Sequence, residues 1–142
     1  MQPVFRIRNL SVCIKGKTLL EIDALDIPAG STAVIGPNGA GKSTLLRALI
    51  GQAGQGEITL LGEAAAPQIR AGKAAWVGQH GRYNMPMTVR EYIALAAFVQ
   101  KGRLNHEWAD ELLNYFDLAA LAEKRIGRLS GGEQQRANII RA

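Results

Sequence analysis

The run Gly36-Pro37-Asn38-Gly39-Ala40-Gly41-Lys42-Ser43-Thr44 places three glycines ahead of a lysine and two hydroxyl residues. These types at this spacing suit polyphosphate binding. A polyphosphate packs several negative charges into a small volume. Backbone N–H groups can wrap it only where side chains do not intrude and positive φ is open, which Gly36, Gly39 and Gly41 allow. Lys42 adds a point charge for the terminal phosphates. Ser43 offers a hydroxyl to Mg²⁺, and Thr44 adds a donor. A helix opening at Lys42 would aim its free N–H groups and the positive end of its dipole at the same anion. The spacing satisfies the phosphate-loop pattern, so nucleoside triphosphate binding is expected of residues 36–44.

A second run, Leu129-Ser130-Gly131-Gly132-Glu133-Gln134-Gln135-Arg136, has capping-box spacing between Ser130 and Glu133. Gly131 and Gly132 leave the first-turn amides uncovered, so this helix start also suits an anion. An ordinary capped helix is the other reading of the same residues. One fold rarely needs two separate γ-phosphate cradles, and spacing alone leaves the second unexplained.

The elements that must carry these runs follow from hydrophobic patterning. Phe5, Ile7, Leu10 and Val12, then Ile22, Leu25 and Ile27, alternate roughly with polar residues and predict paired strands ended by Pro28-Ala29-Gly30. Thr32 to Ile35 reads as a short buried strand leading into the loop, and Lys42 to Ile50 as a helix stopped by Gly51. Glu57 to Leu61 and Ala74 to Val77 are further strand candidates. Thr88 and Glu91 have capping-box spacing before Val89, Tyr92, Ile93 and Ala96. A helix from about Asn105 would place Trp108, Leu112, Tyr115 and Phe116 on one face, and another begins at Ser130.

The chain has 142 residues, one domain's worth, with 17 Lys plus Arg against 12 Asp plus Glu and a net charge of +5. At 47% hydrophobic and 20% charged it is neither disordered nor collagen-like in composition. A lone Cys13 excludes an internal disulfide framework and a cysteine-based zinc site. The longest apolar run, Ile93 to Val99, has seven residues, where a membrane span needs ~18. The N-terminal alternation, with Arg6 and Arg8 interleaved, suits a strand and not a signal peptide. The cations are scattered, with no run longer than Lys124-Arg125, so a solvated surface is expected and nucleic acid is not.

With these motifs in this order, the chain resembles the ATP-binding cassette (ABC) family of ATPases over essentially its whole length. Residues 36–44 look like the family's Walker A loop, Gln79 like its Q-loop glutamine, and Leu129 to Gln135 like its signature motif. The resemblance implies an α/β P-loop NTPase fold of the ABC type. It would comprise an antiparallel β subdomain and partial mixed-sheet core over 1–87, and a helical subdomain with the signature helix over 88–142. ATP and Mg²⁺ are the implied cofactors. Two ABC ATPase domains would pair head to tail, so that Ser130, Gly131 and Gly132 of one contact the γ-phosphate held by Walker A of the other. Ser43 and Gln79 would reach Mg²⁺, and Gln79 would also reach the attacking water. The implied partners are a second ATPase domain and a transmembrane permease whose coupling helix docks on the helical subdomain. The implied location is cytoplasmic, on the inner face of the membrane. The segment Pro86 to Glu91 resembles importers of metal ions or metal chelates. A soluble ABC ATPase acting on ribosomes or DNA is the alternative. The DNA-acting type inserts a long coiled coil, whereas only 50 residues separate Gln79 from Leu129.

Three departures from the family pattern set further expectations. Ile14 falls near the position of an adenine-stacking aromatic and offers apolar contact without a π face. No apolar run ending in Asp-Glu follows the signature, so the chain reads as incomplete at the C-terminus. The Walker B Asp, the general-base Glu, the D-loop and the switch His would then be absent, and hydrolysis by these residues alone is not expected. The strand at Thr32 to Ile35 would lose a hydrogen-bonded neighbour, leaving an aggregation-prone edge. Elsewhere, His80 and His106 read as surface residues, Cys13 as a small buried hydrophobe, and Trp76 and Trp108 as packing residues. Tyr83, Met85 and Met87 read as core or rim residues or as contacts to a partner. Arg136 reads as a brace for its helix, with a phosphate-proximal role the alternative.

Overall fold

The computed structural model describes residues 2–78, 85–99 and 105–142. The chain divides into two units, Met1–Ala74 and Ala75–Ala142.

In the first unit, β1 (Phe5–Ile14) and β2 (Lys17–Ile27) form an antiparallel hairpin. Its two turn residues, Lys15 and Gly16, both have positive φ, 50° and 77°, as the right-handed twist of a two-residue hairpin requires. β3 (Gln55–Leu60) pairs with the other edge of β1, and the short β4 (Glu63–Ala64) pairs with β3, giving the order β2-β1-β3-β4. Every pairing among the described residues is antiparallel. The inward set on β1 changes parity from Phe5 and Ile7 to Leu10 and Val12. A β-bulge absorbs the change: Asn9 takes φ 51°, and the pairing with β3 shifts between Arg8 and Ser11. Gly56 faces this bulge. A Cβ there would lie 2.7 Å from the Leu10 Cα and 2.8 Å from the Asn9 carbonyl oxygen, so only glycine fits without displacing β1.

One face of the sheet carries α1 (Lys42–Leu49). Leu45, Ala48 and Leu49 bury against Ile7, Leu10 and Val12, with Leu20, Ile22, Leu25 and Ile58 packed around them. Burying each large side chain contributes roughly 1.5–3 kcal/mol, which fixes α1 on the sheet and the preceding loop with it. The short α2 (Ala65–Arg70) follows β4.

Several expectations are corrected here. Residues 32–35 are not a buried strand: they pair with nothing among the described residues, and Val34 and Ile35 are 40% and 90% exposed. An extended segment becomes a strand only when a neighbour takes its N–H and C=O groups, and no described segment does so. Residues 74–77 likewise form no strand, and Trp76 is half-buried. Cys13 is exposed, not buried. It follows the inward Val12 at a register shift on the β2 side, and its thiol lies within hydrogen-bonding distance of the Thr18 and Ser11 hydroxyls.

The second unit is helical, with α3 (Val89–Val99), α4 (His106–Tyr115) and α5 (Gly131–Arg141). Single 3₁₀ turns at Ala119–Leu121 and Ile126–Arg128 connect α4 to α5. Val89, Tyr92, Ile93, Leu113, Leu118, Ala122, Ile126, Leu129, Ala137 and Ile140 form its core. The Thr88 capping box forms: the Thr88 amide donates to Glu91, and the Glu91 amide donates to the Thr88 hydroxyl. The expected packing role of Trp108 is corrected. α4 buries Ala109 and Leu113, while Trp108 and Tyr115 are 57% and 82% exposed. The buried stripe lies about 100° around the helix from Trp108, the angular step to its neighbour Ala109.

Candidate functional site

The helix expected at Lys42 begins there, and its N-terminus differs from those of the other described helices of eight residues or more. Gly41 is its N-cap at φ 86°, with no side-chain cap and no acidic residue in the first turn. By contrast, α3 has the Thr88–Glu91 box, α4 is capped by Asn105 with Glu107 in its first turn, and α5 has a full capping box. An uncapped first turn leaves donors that only water or a ligand can satisfy, and without a carboxylate nothing opposes an anion there. Gly39 and Gly41 take φ 84° and 86°, a region costly for other residues. A Cβ on Gly41 would press within 3.4 Å of the Leu20 side chain and 3.6 Å of the Leu19 carbonyl oxygen, so β2 backs the end of the loop.

Lys42 folds back over the loop. Its Nζ donates to the carbonyls of Gly36 (2.8 Å) and Pro37 (2.7 Å). These bonds hold the ammonium beside the uncapped turn. The Ala40 amide donates to the Pro37 carbonyl at 3.3 Å, closing a tight turn across Pro37, Asn38, Gly39 and Ala40. Ser43 is exposed in the first turn of α1. Among the described residues, no group of three or more His, Cys, Asp or Glu could hold a metal. A serine hydroxyl beside phosphate oxygens is a donor set that fits Mg²⁺, a hard cation that binds oxygen and keeps much of its water. Ile14 is 54% exposed at the end of β1.

The second unit carries Ser130, Gly131 and Gly132. Ser130 caps α5: its Oγ accepts from the Glu133 amide at 3.4 Å, and its own amide donates to the Glu133 carboxylate at 2.8 Å. The Ser130 amide holds the Glu133 carboxyl below the usual carboxylate range, and the positive Arg136 and Lys124 add to that pull. Gly131 and Gly132 are exposed, with open space where a Cβ would stand. The open donors of this turn are thus the Gly131 and Gly132 amides, while the Ser130 hydroxyl serves Glu133.

Two buried residues that support this turn were not singled out in the sequence. Gln134 donates through Nε2 to the carbonyls of Ile126 (3.1 Å) and Leu129 (3.2 Å), stapling the segment before Ser130 to the first turn of α5. Asn138, one turn later, accepts from the Tyr92 hydroxyl and ties α5 to α3. Arg141 stacks 4.9 Å over the Tyr92 ring. The signal was present: Gln134, Ala137, Asn138 and Arg141 recur at helical spacing, but polar residues at that spacing carry no hydrophobic signature of burial. Arg136 has its Nε buried without a hydrogen-bond partner among the described residues. His106 is exposed, as expected. Gln79, His80 and Tyr83 lie outside the described residues.

The chain belongs to the ABC transporter family, whose profile matches residues 20–142. Its fold is the α/β fold of ABC ATPase domains. Among curated relatives, the hemin import ATP-binding protein HmuV of Bradyrhizobium diazoefficiens is 38% identical over 147 residues, covering 99% of this chain and 55% of that protein. The zinc import ATP-binding protein ZnuC 1 of Hahella chejuensis is 35% identical over 145 residues, covering 99% and 51%. Among solved structures, an ATP binding subunit of an ABC transporter superimposes with a TM-score of 0.79 at 25% identity, covering 98% of this chain and 61% of that one. The chain spans about half the length of the curated relatives it matches. No described helix is long and apolar enough to cross a membrane.

Proposed function

We propose that this chain supplies the triphosphate cradle and the signature helix of an importer-type ABC ATP-binding subunit. The observation that carries this reading is the uncapped, acid-free start of α1, with Lys42 held over the loop carbonyls. In this reading residues 36–44 hold the phosphates of ATP through backbone amides, Lys42 and Thr44. Ser43 and Gln79 hold Mg²⁺, which when bound neutralises phosphate charge. Gln79 also orients the attacking water. Ser130, Gly131 and Gly132 donate to the γ-phosphate held by a second ATPase domain, paired head to tail. The capped geometry supports that role for the two glycines, because it consumes the Glu133 amide and leaves the Gly131 and Gly132 amides open. Residues 1–87 then serve as the β subdomain and Walker A core, and 88–142 as the helical subdomain.

The remaining elements of the proposal are the partner, the place and the cargo. The partner is a membrane permease, which puts the working protein on the cytoplasmic face. The printed functions of the relatives, hemin and zinc import, support a metal or metal-chelate cargo. The 142 residues by themselves bind ATP without turning it over, since none of the site residues is a carboxylate able to take a proton from water.

The test is Lys42→Ala. ATP binding measured calorimetrically should vanish, while the far-ultraviolet circular dichroism stays that of the parent. Affinity unchanged by the substitution would refute the assignment. Phosphate release by the unmodified chain above that of Lys42→Ala would refute the inactivity.

A further inference from the structure

The segment leading into α5 builds a second charged feature that the proposed nucleotide site does not use. Ala122, Ile126 and Leu129 are buried in the helical core. Three backbone bonds pin the segment to the start of α3. The Val89 amide donates to the Lys124 carbonyl (2.9 Å), the Ile126 amide to Met87 (2.9 Å) and the Arg90 amide to Ala122 (3.0 Å). With those positions fixed inward, Glu123, Lys124, Arg125 and Arg128 turn outward and line one open cleft of about 620 Å³.

Among the described residues, the charge in this cleft is not balanced. The Glu123 carboxylate is committed to Arg90, whose Nε donates to it at 2.9 Å. Lys124, Arg125 and Arg128 make no ion pair among the described residues. Lys124 feels the more distant Glu133, but that carboxylate is already hydrogen-bonded to the Ser130 amide. Three like charges held around one cleft by a rigid backbone repel one another, and an anion seated among them reverses the sign of that interaction.

We propose that this cleft binds a dianionic phosphate group, of the kind carried by pyrophosphate or by the headgroup of phosphatidic acid. Two guanidinium forks match phosphate oxygens in pairs, and the lysine adds a third donor. A phosphate of charge near −2 balances three cations better than a single carboxylate does. The described lining residues belong to the second unit and residues 36–44 to the first, so the inference does not depend on the proposed ATP site.

The test starts from the chain carrying Lys42→Ala, so that the loop at 36–44 contributes nothing. Binding of inorganic pyrophosphate is followed by calorimetry. Co-sedimentation is measured with phosphatidylcholine vesicles prepared with and without phosphatidic acid. Adding Lys124→Gln, Arg125→Gln and Arg128→Gln should weaken binding about tenfold. Arg128→Gln alone should give part of that loss, which keeps the test valid if the triple variant does not fold. A loss seen only with pyrophosphate assigns a free phosphate ligand, and one seen only with vesicles assigns a lipid. Equal affinity of the parent and both variants for both probes, or no binding of either probe, overturns the proposal.

Discussion

Replacing Gln134 with alanine tests whether the signature turn is held from below. Gln134 is 7% exposed, and its Nε2 donates to two carbonyls, Ile126 and Leu129. The two acceptors respond differently to its loss. The Ile126 carbonyl keeps a second donor, the Leu129 amide at 3.2 Å. The Leu129 carbonyl has no other hydrogen-bond partner among the described residues, and Leu129 is itself 7% exposed. Losing a shared bond costs about 1 kcal/mol, and stranding a buried carbonyl costs about 1–3 kcal/mol. Better helix propensity returns only a few tenths. The expected loss is therefore about 2–4 kcal/mol, a large part of the stability of a unit this small. Urea denaturation followed by circular dichroism should show the midpoint falling at unchanged slope. Because Leu129 directly precedes Ser130, exchange of the Glu133 amide, which donates to the Ser130 hydroxyl, should quicken together with the loss. A midpoint shift worth less than about 0.5 kcal/mol would refute the staple, since surface substitutions routinely produce that much.

Other outcomes follow from single contacts. Tyr92→Phe removes the buried donor to Asn138 and should destabilise by about 1–2 kcal/mol in the same denaturation assay. Glu133 has its pKa lowered in the folded chain by the Ser130 amide. Its contribution is therefore present above the unfolded carboxylate pKa and is lost as pH falls through the depressed folded value. Glu133→Gln should flatten that acid limb of the melting temperature, and a limb unchanged by the substitution would contradict the cap. Cys13 is exposed, and the Thr18 hydroxyl foremost lowers its pKa. Iodoacetamide should alkylate it in the native chain, and Thr18→Val should shift the pH midpoint of that reaction upward.

Local signals proved legible where a feature depends on neighbours in sequence. The start of α1 at Lys42, its stop before Gly51, and the boxes at Thr88 and Ser130 are set by residues within four positions of one another. The β1–β2 pair was readable from alternation, although the bulge at Asn9 was not, because it arises from the pairing of β1 with β3. Patterning failed where burial depends on a distant partner. Val34 and Ile35 are apolar enough for a buried strand, yet no described strand takes their backbone groups. Trp108 looks like a core residue by type, but Ala109 and Leu113 occupy the inward side of α4.

The residue types and spacing of the sequence alone determined that two helix starts suit anions, because φ, side-chain bulk and donor placement are local properties. Tertiary structure decided how those starts differ. Leu20 of β2 backs the start of α1, while the start of α5 is stapled to Ile126 through the buried Gln134. It also decided that Lys124, Arg125 and Arg128 share one cleft, since burial of Ala122, Ile126 and Leu129 leaves them no other direction. Which face of a segment turns inward is settled by what packs against it, and a single segment does not contain that information.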